Sequence, residues 1–107
     1  MAKKAKGLYR MTELDEIKEI IKKCKSLVKK EYKVKKIGLF GSYVKNKQTK
    51  KSDLDILVDF DGAISLLKFV RLENYLRGLL KIKVDLVSSG NLRPEIRDAI
   101  LGEVIYL

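Results

Sequence analysis

Two carboxylates stand two residues apart in Asp53-Leu54-Asp55, and a Gly41-Ser42 pair precedes them by ten residues. On a β-strand, residues two apart point to the same face, so the two carboxylates can share divalent cations. Glycine has no side chain to keep a phosphate from the backbone, and a serine hydroxyl adds a donor. A helix starting at Ser42 would add unpaired N–H groups. Magnesium takes a few carboxylates together with phosphate oxygens, so an acid pair and a triphosphate complete each other's coordination. Asp85, on the polar side of a later apolar run, supplies a third carboxylate if its strand lies beside the first acid-bearing one.

Composition narrows the chemistry further. The 107 residues contain no histidine and a single cysteine, Cys24. Histidine-dependent nucleophilic triads and His-ligated metal sites are therefore excluded, as is a disulfide within the chain. Carboxylates, hydroxyls, lysines and arginines remain. Cys24 falls on the apolar stripe of a predicted helix and reads as core filling. There is no Gly-x-x-x-x-Gly-Lys loop, which excludes a P-loop site. The DFDG stretch fails as a calcium loop because Leu57 and Lys68 stand at ligand positions. Asp59 and Asp61 read as solubility and turn residues, and Glu73 and Tyr75 as packing or edge residues of a helix.

The elements that must carry these groups follow from periodicity. Residues 1–11 are basic and aperiodic, which suggests a tail ahead of one domain over residues 12–107. Thr12 and Asp15 form a capping-box signature. Leu14, Ile17, Ile20, Ile21, Cys24, Leu27 and Val28 then repeat at helical steps, to an end near Lys30. Lys18, Lys22, Lys25 and Lys29 are expected on the opposite, wet face. Ile37 to Phe40 reads as a buried strand stopped by Gly41, and residues 43–51 as a turn or short helix. Asp53 to Phe60 alternates, with Leu54, Ile56, Val58 and Phe60 on one side and Asp53, Asp55 and Asp59 on the other. Ile64 to Leu80 is dense in apolar residues and reads as a largely buried helix. Ile82 to Val87 alternates again. Pro94 opens a last helix that Gly102 ends, with a short strand at Val104 to Tyr106. The expected fold class is α+β (or α/β): a small mixed sheet with helices packed on its apolar face.

With these residues in place, IGLFGSYVKNKQTKKSDLDILVDF resembles the minimal nucleotidyltransferases of the polymerase-β-like superfamily, whose signature is Gly-Ser, ten residues, Asp-x-Asp. The likeness runs from Thr12 to the closing NLRPEIRDAILGEVIYL. It implies the nucleotidyltransferase fold and Mg²⁺-dependent transfer of a nucleoside monophosphate from a triphosphate such as ATP. It implies that Gly41 and Ser42 hold the β- and γ-phosphates and that Asp53 and Asp55 bind two Mg²⁺. Asp85 would bind one of these and help activate the acceptor hydroxyl. The family often carries Arg-Gly a few residues after the serine, where Lys45-Asn46 stands here. Lysine keeps the charge but loses the planar fork, and asparagine can still take a left-handed backbone.

Three roles remain open. One is a protein adenylyltransferase acting as antitoxin, placing AMP on a tyrosine of a helical HEPN-family toxin; the small size of the chain favours it. The second is a small-molecule nucleotidyltransferase, whose relatives carry an added helical domain. The third is a non-enzymatic module that binds RNA or a partner protein through its basic half. Residues 1–51 carry 17 Lys and Arg against 5 acids, a net of +12, whereas residues 52–107 carry 7 against 9. Such a half suits RNA, an acidic protein or a triphosphate, or is simply a solvated lysine face of the kind thermophilic proteins carry. No apolar run is long enough to span a membrane, and no apolar segment follows the basic N-terminus, so the expected compartment is the cytoplasm.

Overall fold

The computed structural model describes residues 12–107; the expected tail over residues 1–11 lies outside the described residues. Helix α1 (Glu13–Tyr32) starts at the predicted capping box: Thr12 Oγ1 accepts from the Asp15 N–H at 3.1 Å, and Asp15 Oδ2 accepts from the Thr12 N–H at 3.2 Å. Strands β1 (Val34–Phe40) and β2 (Leu54–Phe60) follow, then α2 (Leu66–Leu80), β3 (Val84–Ser88), a 3₁₀ turn at Ser89–Asn91, α3 (Pro94–Glu103) and β4 (Ile105–Tyr106). The sheet order is β3-β2-β1-β4. Strand β1 is antiparallel to both neighbours, whereas β2 and β3 run parallel, so the sheet is mixed.

One face of the sheet presents Ile37, Leu39, Leu54, Ile56, Val58, Val84 and Leu86 to α1 and α2. Helix α1 contributes Ile17, Ile21, Cys24 and Val28, and helix α2 contributes Leu72, Leu76 and Leu80. Cys24 is core filling as expected; its thiol donates to the Ile21 carbonyl at 3.3 Å, and burial pushes its pKa up. The other face is apolar only in part, where Phe40, Leu57 and Leu92 are buried and packed against Ile100 of α3 and Val104. The rest of that face carries the acids.

Three expectations change. Helix α2 is amphipathic rather than largely buried, since Leu66 is 79% exposed and Leu67 62%. Its density of leucines concealed a seam of normal width. Strand β1 begins at Val34, three residues earlier than its apolar core suggests, because pairing with β2 carries the exposed Lys35 and Lys36. Lys18, Lys22, Lys25 and Lys29 do not oppose the buried seam of α1. Each follows a buried or core-packed position by one residue, about 100° around the helix, so the stripe flanks the core, with Lys18 and Lys25 only half-exposed.

Strand β3 is an edge strand, and α2 covers its open side. Glu73 accepts from the Leu86 N–H at 2.9 Å, and Arg77 donates to the Val84 carbonyl at 2.8 and 3.1 Å. These bonds occupy ladder groups that would otherwise template another chain. Glu73 therefore seals the edge that positions Asp85, a role its helical position alone does not reveal. Among the described residues no helix is long and apolar enough to cross a membrane.

Candidate active site

Strand β1 delivers the chain to Gly41, which turns at φ +81. The turn that follows is tight: the Gly41 carbonyl accepts from both the Val44 and Lys45 N–H groups at 3.1 Å, and the Ser42 carbonyl from the Lys47 N–H at 2.8 Å. It is a single winding, not the start of a helix, and Asn46 adopts the left-handed conformation its type allows, at φ 58. Tyr43 is buried in the main core and anchors the turn, leaving Ser42 half-exposed. Next, Thr49 and Ser52 lock the return to β2, with the Thr49 N–H donating to Ser52 Oγ at 2.8 Å and the Ser52 N–H to the Thr49 carbonyl at 3.1 Å. Ten residues between Ser42 and Asp53 are thus one turn, one locked loop and an entry into the strand.

The parallel register sets Asp55 directly beside Asp85 on the adjoining strand. Asp53 is exposed just ahead of β2, on the same side of the alternation. Phe40 pairs with Asp55 across β1 and β2, which brings Gly41 against the carboxylate. A Cβ at Gly41 would overlap the Asp55 carboxylate oxygen and lie 2.9 Å from its Cγ. The glycine therefore makes room first for Asp55, a demand that spacing alone could not reveal.

The site is electrostatically frustrated. Burial, followed by the negative charges of Asp85 and Asp53, pushes the Asp55 carboxyl up to about 6. Its hydroxyl- and carboxylate-only donor set, with acids crowded against their own charge, suits a hard, oxygen-seeking cation such as Mg²⁺. No three carboxylates among the described residues converge on one ready-made cation position. Lys45, expected at the phosphates, pairs with Glu103 at 3.1 Å, and Glu103 also accepts from the Gly41 N–H at 3.0 Å. Glu103 was not legible as a site residue from its own surroundings in the sequence.

The nucleotidyltransferase domain profile matches residues 17–107. The chain belongs to the nucleotidyltransferase family. A Methanocaldococcus jannaschii protein assigned as a protein adenylyltransferase is 50% identical over 98 residues, covering 91% of this chain and all of that protein. The protein adenylyltransferase MntA of Thermococcus cleftensis is 44% identical over 97 residues, covering 91% of this chain and 98% of its own. A solved structure assigned as a minimal nucleotidyltransferase superposes with a TM-score of 0.78 at 32% identity, over 92% of this chain and all of that one. A toxin–antitoxin crystal structure with AMP-PNP gives a TM-score of 0.67 at 26% identity, over 79% of this chain and 69% of that one. The family and the small mixed sheet are those the resemblance implies, and the chain is a nucleotidyltransferase.

Proposed function

We propose that this nucleotidyltransferase moves AMP from ATP onto a hydroxyl, that of a tyrosine in a HEPN-family toxin, and thereby acts as an antitoxin in the cytoplasm. The observation that carries the reading is the in-register pair Asp55 and Asp85 beside the Gly41 turn. Relatives that share almost the whole chain are named as protein adenylyltransferases, and a similar fold occurs in a toxin–antitoxin structure with an ATP analogue.

Each residue has a task in this reading. Gly41, Ser42 and Lys45 receive the β- and γ-phosphates, the turn backbone and hydroxyl as donors and the lysine as a point charge. Asp53, Asp55 and Asp85 would hold two Mg²⁺, which supply charge neutralisation at the phosphates and a lowered pKa at the acceptor. Asp85, the exposed member of the pair, takes the proton of the entering hydroxyl. The hydroxyl oxygen bonds to the α-phosphorus in line as the bond to the β-phosphate oxygen breaks. Its electron pair leaves with pyrophosphate. Most of the catalysis is then positioning and charge complementarity, which a scaffold lacking histidine can provide.

The test is to incubate the chain and its purified partner with ATP labelled at either the α- or the γ-phosphate. Label should reach the partner from the α position only. Transfer from the γ position, or no transfer with a folded partner present, would refute nucleotidyl transfer to protein.

A further inference from the structure

The donors assigned to the nucleotide's phosphates already hold an anion from the protein itself. Glu103, the last residue of α3, accepts from the Gly41 N–H at 3.0 Å through Oε1, while Oε2 lies 3.1 Å from Lys45 Nζ. The short β4 pairing brings the end of α3 to this turn. In the antiparallel β1–β4 pair, Gly38 faces Tyr106 and Leu39 faces Ile105. Glu103 ends α3 just ahead of that pairing, and its side chain reaches the Gly41 N–H. The Gly41 N–H and Lys45 lower the carboxyl below its ordinary value, so it is an anion at neutral pH. A carboxylate bridging one backbone N–H and one ammonium takes the contacts a terminal phosphate would take.

We propose that Glu103 is a built-in competitor for the nucleotide's phosphates. It occupies the Gly41 amide and the Lys45 ammonium while the site is empty, yields them to the triphosphate, and re-seats as pyrophosphate leaves. The inference rests on the phosphate-binding role given above to Gly41 and Lys45. Two features suit an exchangeable occupant rather than a fixed strut. The side chains of Glu103 and Lys45 are 26% and 52% exposed, so both can swing into water. Asp55 and Asp85 stand on the same side of the turn, so a fourth carboxylate there opposes any incoming polyanion until it moves. Its presence lowers affinity for free phosphates and favours ligands that bring their own cation.

Binding isotherms for Mg-ATP and for Mg-pyrophosphate on the wild type, Glu103→Gln and Lys45→Ala would test this. Glu103→Gln should bind both ligands more tightly, on the order of fivefold, the scale on which a partly exposed ion pair competes. The Glu103→Gln, Lys45→Ala double variant should lose that gain. Weaker or unchanged binding by a folded Glu103→Gln would overturn the proposal and make Glu103 a positioning residue or a bystander. In the wild type, the backbone amide resonance of Gly41 should shift when pyrophosphate is titrated in with Mg²⁺. A Gly41 amide that does not respond at saturation would overturn the proposal without any substitution. Asp55→Asn separates the two layers: if it abolishes Mg-ATP binding while Glu103→Gln fails to tighten it, only the competitor role falls. Wild-type-like Mg-ATP binding by Asp55→Asn would remove the underlying site reading as well.

Discussion

Replacing Asp55 by asparagine should make the metal-free protein more stable, although we assign the residue a central part in catalysis. A carboxyl raised from 3.8 to about 6 is more readily protonated in the folded chain than in the unfolded one. Below about pH 4 both states hold the proton and the group has no effect. Between about 4 and 6 the folded state binds more protons than the unfolded one, so stability falls as pH rises. At about 1.36 kcal/mol per pH unit, the full penalty at neutral pH approaches ~3 kcal/mol. Asp55 is half-buried, so solvent relaxation reduces the recoverable part to about 2 kcal/mol. Asparagine keeps the shape without the charge. For a domain of this size, a gain of about 2 kcal/mol raises Tm by roughly 10 °C. Thermal unfolding in EDTA at pH 7.5 and at pH 3.5 measures it. The Asp55→Asn advantage should be present at the higher pH and absent at the lower. Mg²⁺ should stabilise the wild type at pH 7.5 and leave Asp55→Asn almost unmoved. A variant less stable than wild type at pH 7.5 without metal, or an advantage independent of pH, would refute the reasoning.

Other consequences are as direct. Gly41→Ala combines a left-handed backbone with a Cβ that overlaps the Asp55 carboxylate, so it should destabilise the fold by about 1–2 kcal/mol from the backbone alone and abolish Mg-ATP binding. Denaturant titration and nucleotide binding check both effects. Lys45→Ala should weaken ATP binding about tenfold or more, as loss of a charge-assisted contact does, while Lys45→Arg retains it; equal affinity in all three proteins would place Lys45 outside the nucleotide site. Charge reversal at the exposed Lys22 and Lys29 should slow association with an acidic partner and flatten its salt dependence, while Mg-ATP binding persists. Stopped-flow association at several salt concentrations reads this, and a rate insensitive to salt and to the reversals would reduce the stripe to solvated surface.

What was legible in the chain was what local pattern governs. The Thr12–Asp15 box forms as written, the alternation of Leu54 to Phe60 gives the core face of β2, and Pro94 opens α3 at its first turn. The acid pair was legible because two-residue spacing on a strand has one geometric outcome. The position of Asp85 required that β3 lie beside β2, and the parallel register meets that condition residue for residue. What could not be read depends on contacts distant in sequence. Lys35 and Lys36 hide the start of β1, since only cross-strand pairing makes that segment extended. The leucines of α2 mark a helix, but which of them are buried is decided by where α1 lies. Glu103, at the end of α3, meets Gly41 across 62 residues, just ahead of a strand only two residues long.

The central claim is that the face built by Asp53, Asp55 and Asp85 catalyses AMP transfer. Its most direct test compares the wild type with the Asp53→Asn, Asp55→Asn double variant for transfer of α-labelled AMP from ATP to the purified candidate partner. Both proteins are first shown folded by their circular dichroism. The account predicts Mg²⁺-dependent labelling of the partner by the wild type and none by the double variant, at equal or greater stability of the variant in EDTA. Undiminished labelling by the double variant would contradict it.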